Sequence, residues 1–363
     1  MSNHATPSDH LEHAAPSWAE RQGWFRTLLF CLGVPALGLA LAVVLQTTTI
    51  FHVLKTGSKD LDRCVEISKL YDTSMADTPT VVCIGDSVSV EGLDGSIIKS
   101  QLPQDWRVYN AALNGDDLMA AMVMTPKLAK AGAGWVVWVS RPLLQGAPVN
   151  DLHPDRAAAY GLAGFSSAWT SELPFGAEGV ISAKNRELLH ANQARAKLHF
   201  RTALMNSVNE GVKNKLKGSS VRKSSPSDWS APFNMTFSIS GERLERHIQT
   251  LKEEHDLRMN VAKPDIYSGI IRQLRAGGAK PVMVLAPIHP IIRERGWFDQ
   301  GASTYRTLAS QLATETGGLF LDASDLLNGE DFADGQHPNE SGRAKLSAFI
   351  GRSIAAASAG GAR

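Results

Sequence analysis

The stretch Val81-Val82-Cys83-Ile84-Gly85-Asp86-Ser87 sets four apolar residues against a glycine, an acid and a hydroxyl. A short run rich in β-branched residues suits a strand buried on both faces. Gly85 ends the run where a side chain would obstruct a turn. A serine just past a central strand stands at the carboxyl edge of the sheet, where open α/β folds place their sites. Taken alone, Gly85-Asp86-Ser87 is an ordinary way to leave a strand. A second stretch gives it weight: Asp334-Gly335-Gln336-His337-Pro338-Asn339, near the C-terminus. A serine nucleophile needs a base, and the base needs an acid to orient it.

Outward from the first stretch, an α/β alternation unfolds. Gly95 to Leu102 reads as a helix, and Trp106-Arg107-Val108-Tyr109-Asn110 as a second strand. Asp117 to Ala131 is a helix rich in Ala, Met and Leu, followed by the fully apolar strand Trp135-Val136-Val137-Trp138-Val139. The rhythm resumes with a helix over Asp265 to Ala276, closed by Gly277-Gly278. A strand over Pro281 to Pro287, a helix over Thr304 to Thr316 and a strand over Leu319 to Asp322 follow. A last helix runs from Glu340 to Ala357, with Asn339 or Ser341 near its N-cap. Continuous apolar strands alternating with helices predict a parallel sheet covered on both faces, a three-layer α/β/α domain over about 79–355.

Between about 145 and 262 the alternation fails, and an insertion is expected. Asn185 to Leu216 reads as one long helix or a pair, Lys213 to Asp228 as a basic, Ser-rich loop, and Ser240 to Leu257 as a charged helix. Such an insertion serves either as a lid or recognition surface or as a scaffold extension.

The N-terminal part has a different character. Residues 1–26 form a polar tail, with capping-box spacing between Ser17 and Glu20. Residues 27–54 carry no charge. At 1.5 Å per residue that length spans a hydrocarbon core of about 30 Å, with Pro35 as a tolerated kink. An uncleaved transmembrane anchor is expected in preference to a signal peptide, because the preceding tail is long and no small-residue cleavage site follows. Residues 55–78 read as a linker running into a short helix from Leu61 to Leu70, and 356–363 as a C-terminal tail. Arg21 and Arg26 precede the apolar run and Lys55, Lys59 and Arg63 follow it, so the positive-inside rule does not decide orientation. The body is placed outside the cytoplasm, on the prior that a single N-terminal helix commonly tethers an exported enzyme to the inner membrane.

Composition excludes several classes. Lys and Arg number 37 against 36 Asp and Glu in 363 residues, which argues against a nucleic-acid binder. Hydrophobic residues make up 43%, too many for a disordered chain. The three cysteines, Cys31, Cys64 and Cys83, contain no Cys-x-x-Cys, so a thiolate zinc site is not expected. Cys64 and Cys83 are either unpaired core thiols or a disulfide in an oxidising compartment.

Three blocks then line up. Gly85-Asp86-Ser87 follows the first strand, Asn110-Ala111-x-x-x-Gly115-Asp116 the second, and Asp334-x-x-His337-Pro338 precedes the last helix. In order and placement they resemble the SGNH (GDSL-type) hydrolase superfamily, over roughly 78–145 and 265–355. The resemblance implies Ser87 as nucleophile, His337 as base and then acid, and Asp334 as the group that orients the imidazole. It implies the backbone N–H groups of Ser87 and Gly115 as oxyanion donors, one of which is worth on the order of 3 kcal/mol. The superfamily's Gly-x-Asn-Asp block after the third strand is missing: the chain reads Ser140-Arg141-Pro142. Ser140 or Arg141 stands where that donor would come from, and Arg141 is also placed to bind an acidic substrate or to form a structural ion pair.

The anchor, the insertion and the late Asp-x-x-His resemble the membrane-anchored O-acyltransferase branch, which works on exopolysaccharides beside a membrane-bound acyltransferase partner. This implies transfer of an acyl group, most simply acetyl, to a polysaccharide hydroxyl. Two alternatives stay open: a membrane-tethered esterase or lipase acting on small esters or lysolipids, and a catalytically degenerate scaffold. No metal or organic cofactor is implied. The remaining candidates have plainer readings. His289 lines the cleft or packs a loop, Asp322 and Asp325 orient a base or cap a helix, and Asp116 and Asp117 bind a cation or open a helix. His153 and His190 give no reason to invoke a metal, Trp135 and Trp138 read as core, and Trp229 and Phe233 are candidates for sugar stacking.

Overall fold

The computed structural model describes residues 23, 26–27, 32–33, 59–113, 118–142, 160, 163–165, 238–259 and 264–360. The chain divides into two compact units, Met1–Ile50 and Phe51–Arg363. In the first, Gly23, Arg26, Thr27, Leu32 and Gly33 are helical. The rest of the expected anchor at 27–54 lies outside the described residues, among which no helix is long and apolar enough to cross a membrane.

The second unit is built on five parallel strands: β1 (Thr80–Gly85), β2 (Arg107–Asn110), β3 (Trp135–Ser140), β4 (Lys280–Leu285) and β5 (Leu319–Asp322). Their order is β2-β1-β3-β4-β5. Every residue of β1 and β3 is buried, as their apolar sequences require, whereas the edge strands β2 and β5 keep partly exposed positions. The chain leaves β1 to one side for β2 and returns to its other side for β3. The resulting crevice beyond the carboxyl ends of β1 and β3 is where ligands bind in such sheets.

Alternate residues of each strand feed two different layers. Val81 and Cys83 of β1, Val137 and Val139 of β3 and Val282 and Val284 of β4 form one cluster with Val88, Ile98, Leu346 and Ile350. Those four come from α2 (Ser87–Gly92), α3 (Gly95–Ser100) and α9 (Glu340–Gly360). On the opposite face, Trp138 packs on Tyr267 of α6 (Pro264–Ala276) with ring centroids 4.7 Å apart. The Tyr267 hydroxyl meets that of Tyr305 in α8 (Asp299–Thr316) at 2.8 Å. Trp135 and Trp138 are core, and Cys64 and Cys83 are buried and not joined in a disulfide.

The short helix expected from Leu61 to Leu70 is present as α1 (Lys59–Asp72), which packs against α4 (Leu118–Ala131) and buries Val65, Ile67 and Leu70. Of the insertion, α5 (Gly241–Met259) is described; Asn185–Leu216 and the Ser-rich loop, with Trp229 and Phe233, lie outside the described residues. Two short helices have no counterpart in the sequence reading, α2 and α7 (Pro290–Glu294). α8 starts five residues before the expected Thr304.

Gly85 is the tightest point of the frame. Its φ is +131°, and a Cβ there would sit 2.3 Å from Ser89 Oγ and 3.0 Å from the Val139 carbonyl oxygen. Gly85→Ala is expected to destabilise the domain by about 1–3 kcal/mol. Thermal unfolding would show this as a Tm lower by roughly 2–4 °C per kcal/mol. An unchanged Tm would mean that the β1–α2 turn is not the constraint described.

Candidate active site

Three segments converge at the crevice. The first is the β1–α2 turn. Asp86 caps α2, its Oδ1 accepting from Val88 N at 2.9 Å, and this fixes Ser87 at the first helical position. The second is the end of β2. Asn110 donates through Nδ2 to the carbonyls of Ser89 (3.0 Å) and Leu93 (3.3 Å) and accepts at Oδ1 from Ala112 N (3.2 Å). Arg63 of α1 donates in turn to the Asn110 carbonyl oxygen. Asn110 therefore clamps the helix that carries Ser87. Asn110→Ala strands buried carbonyls, at about 1–3 kcal/mol. The expected result is a lower Tm together with slower turnover per folded molecule, both measured on one preparation.

The third segment is the loop before α9. Asp334 Oδ1 accepts from the backbone N–H groups of Gln336 and His337, each at 2.8 Å. This tight turn, which Asp-x-x-His spacing permits, aims Oδ2 at His337 Nδ1, 2.8 Å away. His337 Nε2 lies 2.9 Å from Ser87 Oγ. The structure thus brings Ser87, His337 and Asp334 into one chain of hydrogen bonds across 250 residues of sequence. Asn339 caps α9 by accepting from Gly342 N at 3.2 Å, while Ser341 donates to Asp331 instead.

Electrostatics follow from burial and partners. Burial pushes the Asp334 carboxyl up, but the His337 hydrogen bond and the two backbone donors outweigh it and hold the group below the usual aspartate range. Glu91, four residues after Ser87, had no motif to mark it. Its Oε2 is buried and takes no hydrogen bond from the described residues, and burial raises its pKa. His337 and Arg343 pull that carboxyl down, while Asp334 and Asp86 add to the upward push.

Arg141 sits at the mouth of the crevice after β3. Its Nε donates to Asp86 Oδ2 at 2.7 Å and its Nη1 to Gln336 Oε1 at 2.6 Å. It ties the residue before the serine to the residue before the histidine. Ser140 is fully buried on the strand face that carries Trp138. Gly115, Asp116 and Asp117 lie outside the described residues, as do His153 and His190. Asp322 accepts from Arg306 and from Ser324 N, and Asp325 pairs with Arg293. Neither aspartate orients a base, and an ion pair replaces the expected cap at Asp325.

Helix α5 closes over the Asp334 loop. A Cβ on Gly335 would lie 2.9 Å from Ile248 Cγ1, 3.0 Å from Leu251 Cδ1 and 3.1 Å from His247 Cδ2, so any larger residue would press on those three side chains of the helix. His247 Nε2 stands 3.7 Å from Asp334 Oδ2, a second imidazole on the same carboxylate.

No protein-family model matches the chain, and no curated protein matches its sequence. Similar solved structures are SGNH/GDSL-type esterases and lipases. They include a carbohydrate acetylesterase from Sinorhizobium meliloti, 12% identical over 77% of this chain and 99% of that one, with a TM-score of 0.33. An aryl esterase from M. smegmatis is 11% identical over 77% and 99%, with a TM-score of 0.34. A GDSL-like lipase from Bacteroides thetaiotaomicron is 9% identical over 81% and 99%, with a TM-score of 0.36. Likeness this distant assigns no residue roles.

Proposed function

We propose that this chain is a serine-dependent acyl-transfer enzyme, anchored in the inner membrane by residues 27–54, that moves an acetyl group onto an extracytoplasmic polysaccharide. The observation that carries the chemistry is the Ser87–His337–Asp334 hydrogen-bond chain. Ser87 Oγ attacks the acyl carbon of a donor ester while His337 Nε2 takes its proton. The tetrahedral intermediate expels the donor alkoxide, which receives that proton from the imidazolium. An acceptor hydroxyl then gives its proton to His337, attacks the acyl-serine and restores the Ser87 hydroxyl. Asp334 keeps the imidazole proton on Nδ1 and stabilises the cation formed at each half-reaction. The Ser87 and Gly115 N–H groups are assigned to the oxyanion. Arg141 is assigned there only through its unused N–H groups, since Nε and Nη1 are committed to Asp86 and Gln336.

Transfer to sugar is supported by the uncharged N-terminal run and by the replaced third block, Ser140-Arg141-Pro142. A membrane-bound acyltransferase would supply the acyl group. The test is to incubate the full-length protein with a chromogenic acetyl ester and a panel of oligosaccharides, following products by mass spectrometry. A sugar heavier by one acetyl group, formed only with Ser87 intact, is expected. Chromophore release with free acetate alone, across the panel, would make the protein an esterase instead.

A further inference from the structure

The two oxygens of the Asp334 carboxylate are used unevenly. Oδ1 accepts two backbone N–H groups, those of Gln336 and His337. Oδ2 accepts from His337 Nδ1, and a carboxylate oxygen has room for a second donor. The group that stands there is His247 of α5, its Nε2 3.7 Å away. That nitrogen is buried and makes no hydrogen bond with the described residues. A ring lone pair turned on a carboxylate oxygen would be repelled, so the proton belongs on Nε2. Closing the gap by roughly half an ångström brings the pair into hydrogen-bond range. Contacts in catalytic sites commonly tighten in this way only once substrate is bound. A third imidazole, His289, is committed elsewhere: its Nδ1 accepts from Ile291 N at 3.3 Å, and its Nε2 lies toward Gly329.

The insertion is fastened to the residues on either side of Asp334. Ile239, two residues before α5, donates its N–H to the Ala333 carbonyl oxygen at 2.9 Å. Ile248 and Leu251, the residue after His247 and the one a turn further on, are buried against Gly335. Glu245 of α5 pairs with Arg295 at the end of α7. We propose that His247 is a positioning residue for the Asp334 carboxylate, supplied by the insertion. It donates through Nε2–H to Oδ2 and holds that oxygen in line with His337 Nδ1 while the His337 ring gains and loses its proton. The insertion is then part of the active site and not only a scaffold extension. This role rests on the acyl-transfer reading for the reaction that the hydrogen-bond chain serves.

Substitutions at His247 in the full-length protein, held in detergent, test it. His247→Leu keeps the bulk and removes the donor. His247→Asn removes it too, since the shorter amide ends near the place of the ring's Nδ1. His247→Gln sets an amide N–H close to the place of Nε2. With a chromogenic acetyl ester, kcat should fall about tenfold in the Leu and Asn variants at unchanged KM and return to within about twofold in the Gln variant, the scale of one hydrogen bond to a charged group. Proton NMR of the phosphonate-labelled protein gives a readout that packing alone would not move. The downfield resonance of the His337 Nδ1 proton should move further downfield in the Leu and Asn variants, because Oδ2 with one donor fewer accepts more strongly from His337, and return in the Gln variant. Phosphonate labelling of wild-type Ser87 judges the nucleophile separately, and its absence would sink the acyl-transfer reading and this role with it. With labelling intact, wild-type kcat in a folded Leu or Asn variant, a Gln variant as slow as those two, or an unmoved resonance would overturn the positioning role alone.

Discussion

Ser87→Ala is expected to lower turnover of an acetyl ester by about 10⁶-fold, the scale on which serine enzymes lose activity when the nucleophile is removed. Labelling by a serine-reactive phosphonate should vanish with it. Among the described residues the side chain of Ser87 bonds to His337 Nε2 alone, and the residue is half-buried, so the change opens no large cavity and the Tm should hold. In the proposed mechanism Ser87 and His337 act as a unit, so His337→Ala should cost a similar factor, and the double variant little more than either alone. Equal phosphonate labelling of wild type and Ser87→Ala protein would remove Ser87 from the mechanism.

Asp334→Asn should lower turnover by about 10⁴-fold with the fold intact. The amide oxygen can still accept from the Gln336 and His337 backbone N–H groups. The amide nitrogen, however, then faces His337 Nδ1 as a donor, which drives the imidazole proton to Nε2 and leaves Ser87 without a base. The substitution also changes how stability responds to acid. The folded-state pKa of Asp334 lies below its unfolded value, so its contribution is fully present above about 3.9 and is lost as pH falls through the folded value. Urea unfolding between about pH 6 and pH 3 should show wild-type stability falling more steeply than that of Asp334→Asn at the acid end. Asp331 has the same sign of shift, held down against burial by Lys345, but both proteins retain it. Parallel acid limbs would mean that Asp334 is not held as a carboxylate by these donors.

What the sequence made legible follows from which signals are local. β1, β3 and β4 were readable because strands buried on both faces must be continuously apolar, and Val81–Ile84, Trp135–Val139 and Pro281–Leu285 are. Asp334 and His337 were readable as a pair because a three-residue turn joins them. α2 and α7 are six and five residues long, too short to show a helical period. Asp86 directly before Ser87-Val88-Ser89 was nevertheless an N-cap signal for α2. The first turn of α8, Asp299-Gln300-Gly301-Ala302, offers no apolar repeat, which hid its start. The bond from Arg141 to Gln336 joins residues 195 apart, and the approach of His247 to Asp334 depends on how α5 packs, so neither was visible in a local pattern.

The most direct test of the central claim is intact-mass and peptide-mapping spectrometry of the full-length protein, quenched in acid during turnover of an acetyl ester. The account predicts a population heavier by one acetyl group, mapped to the peptide bearing Ser87, that accumulates and decays with turnover and is absent from Ser87→Ala protein. An acetyl group on a different residue that turns over at the catalytic rate, or turnover at wild-type rate in Ser87→Ala, would contradict it.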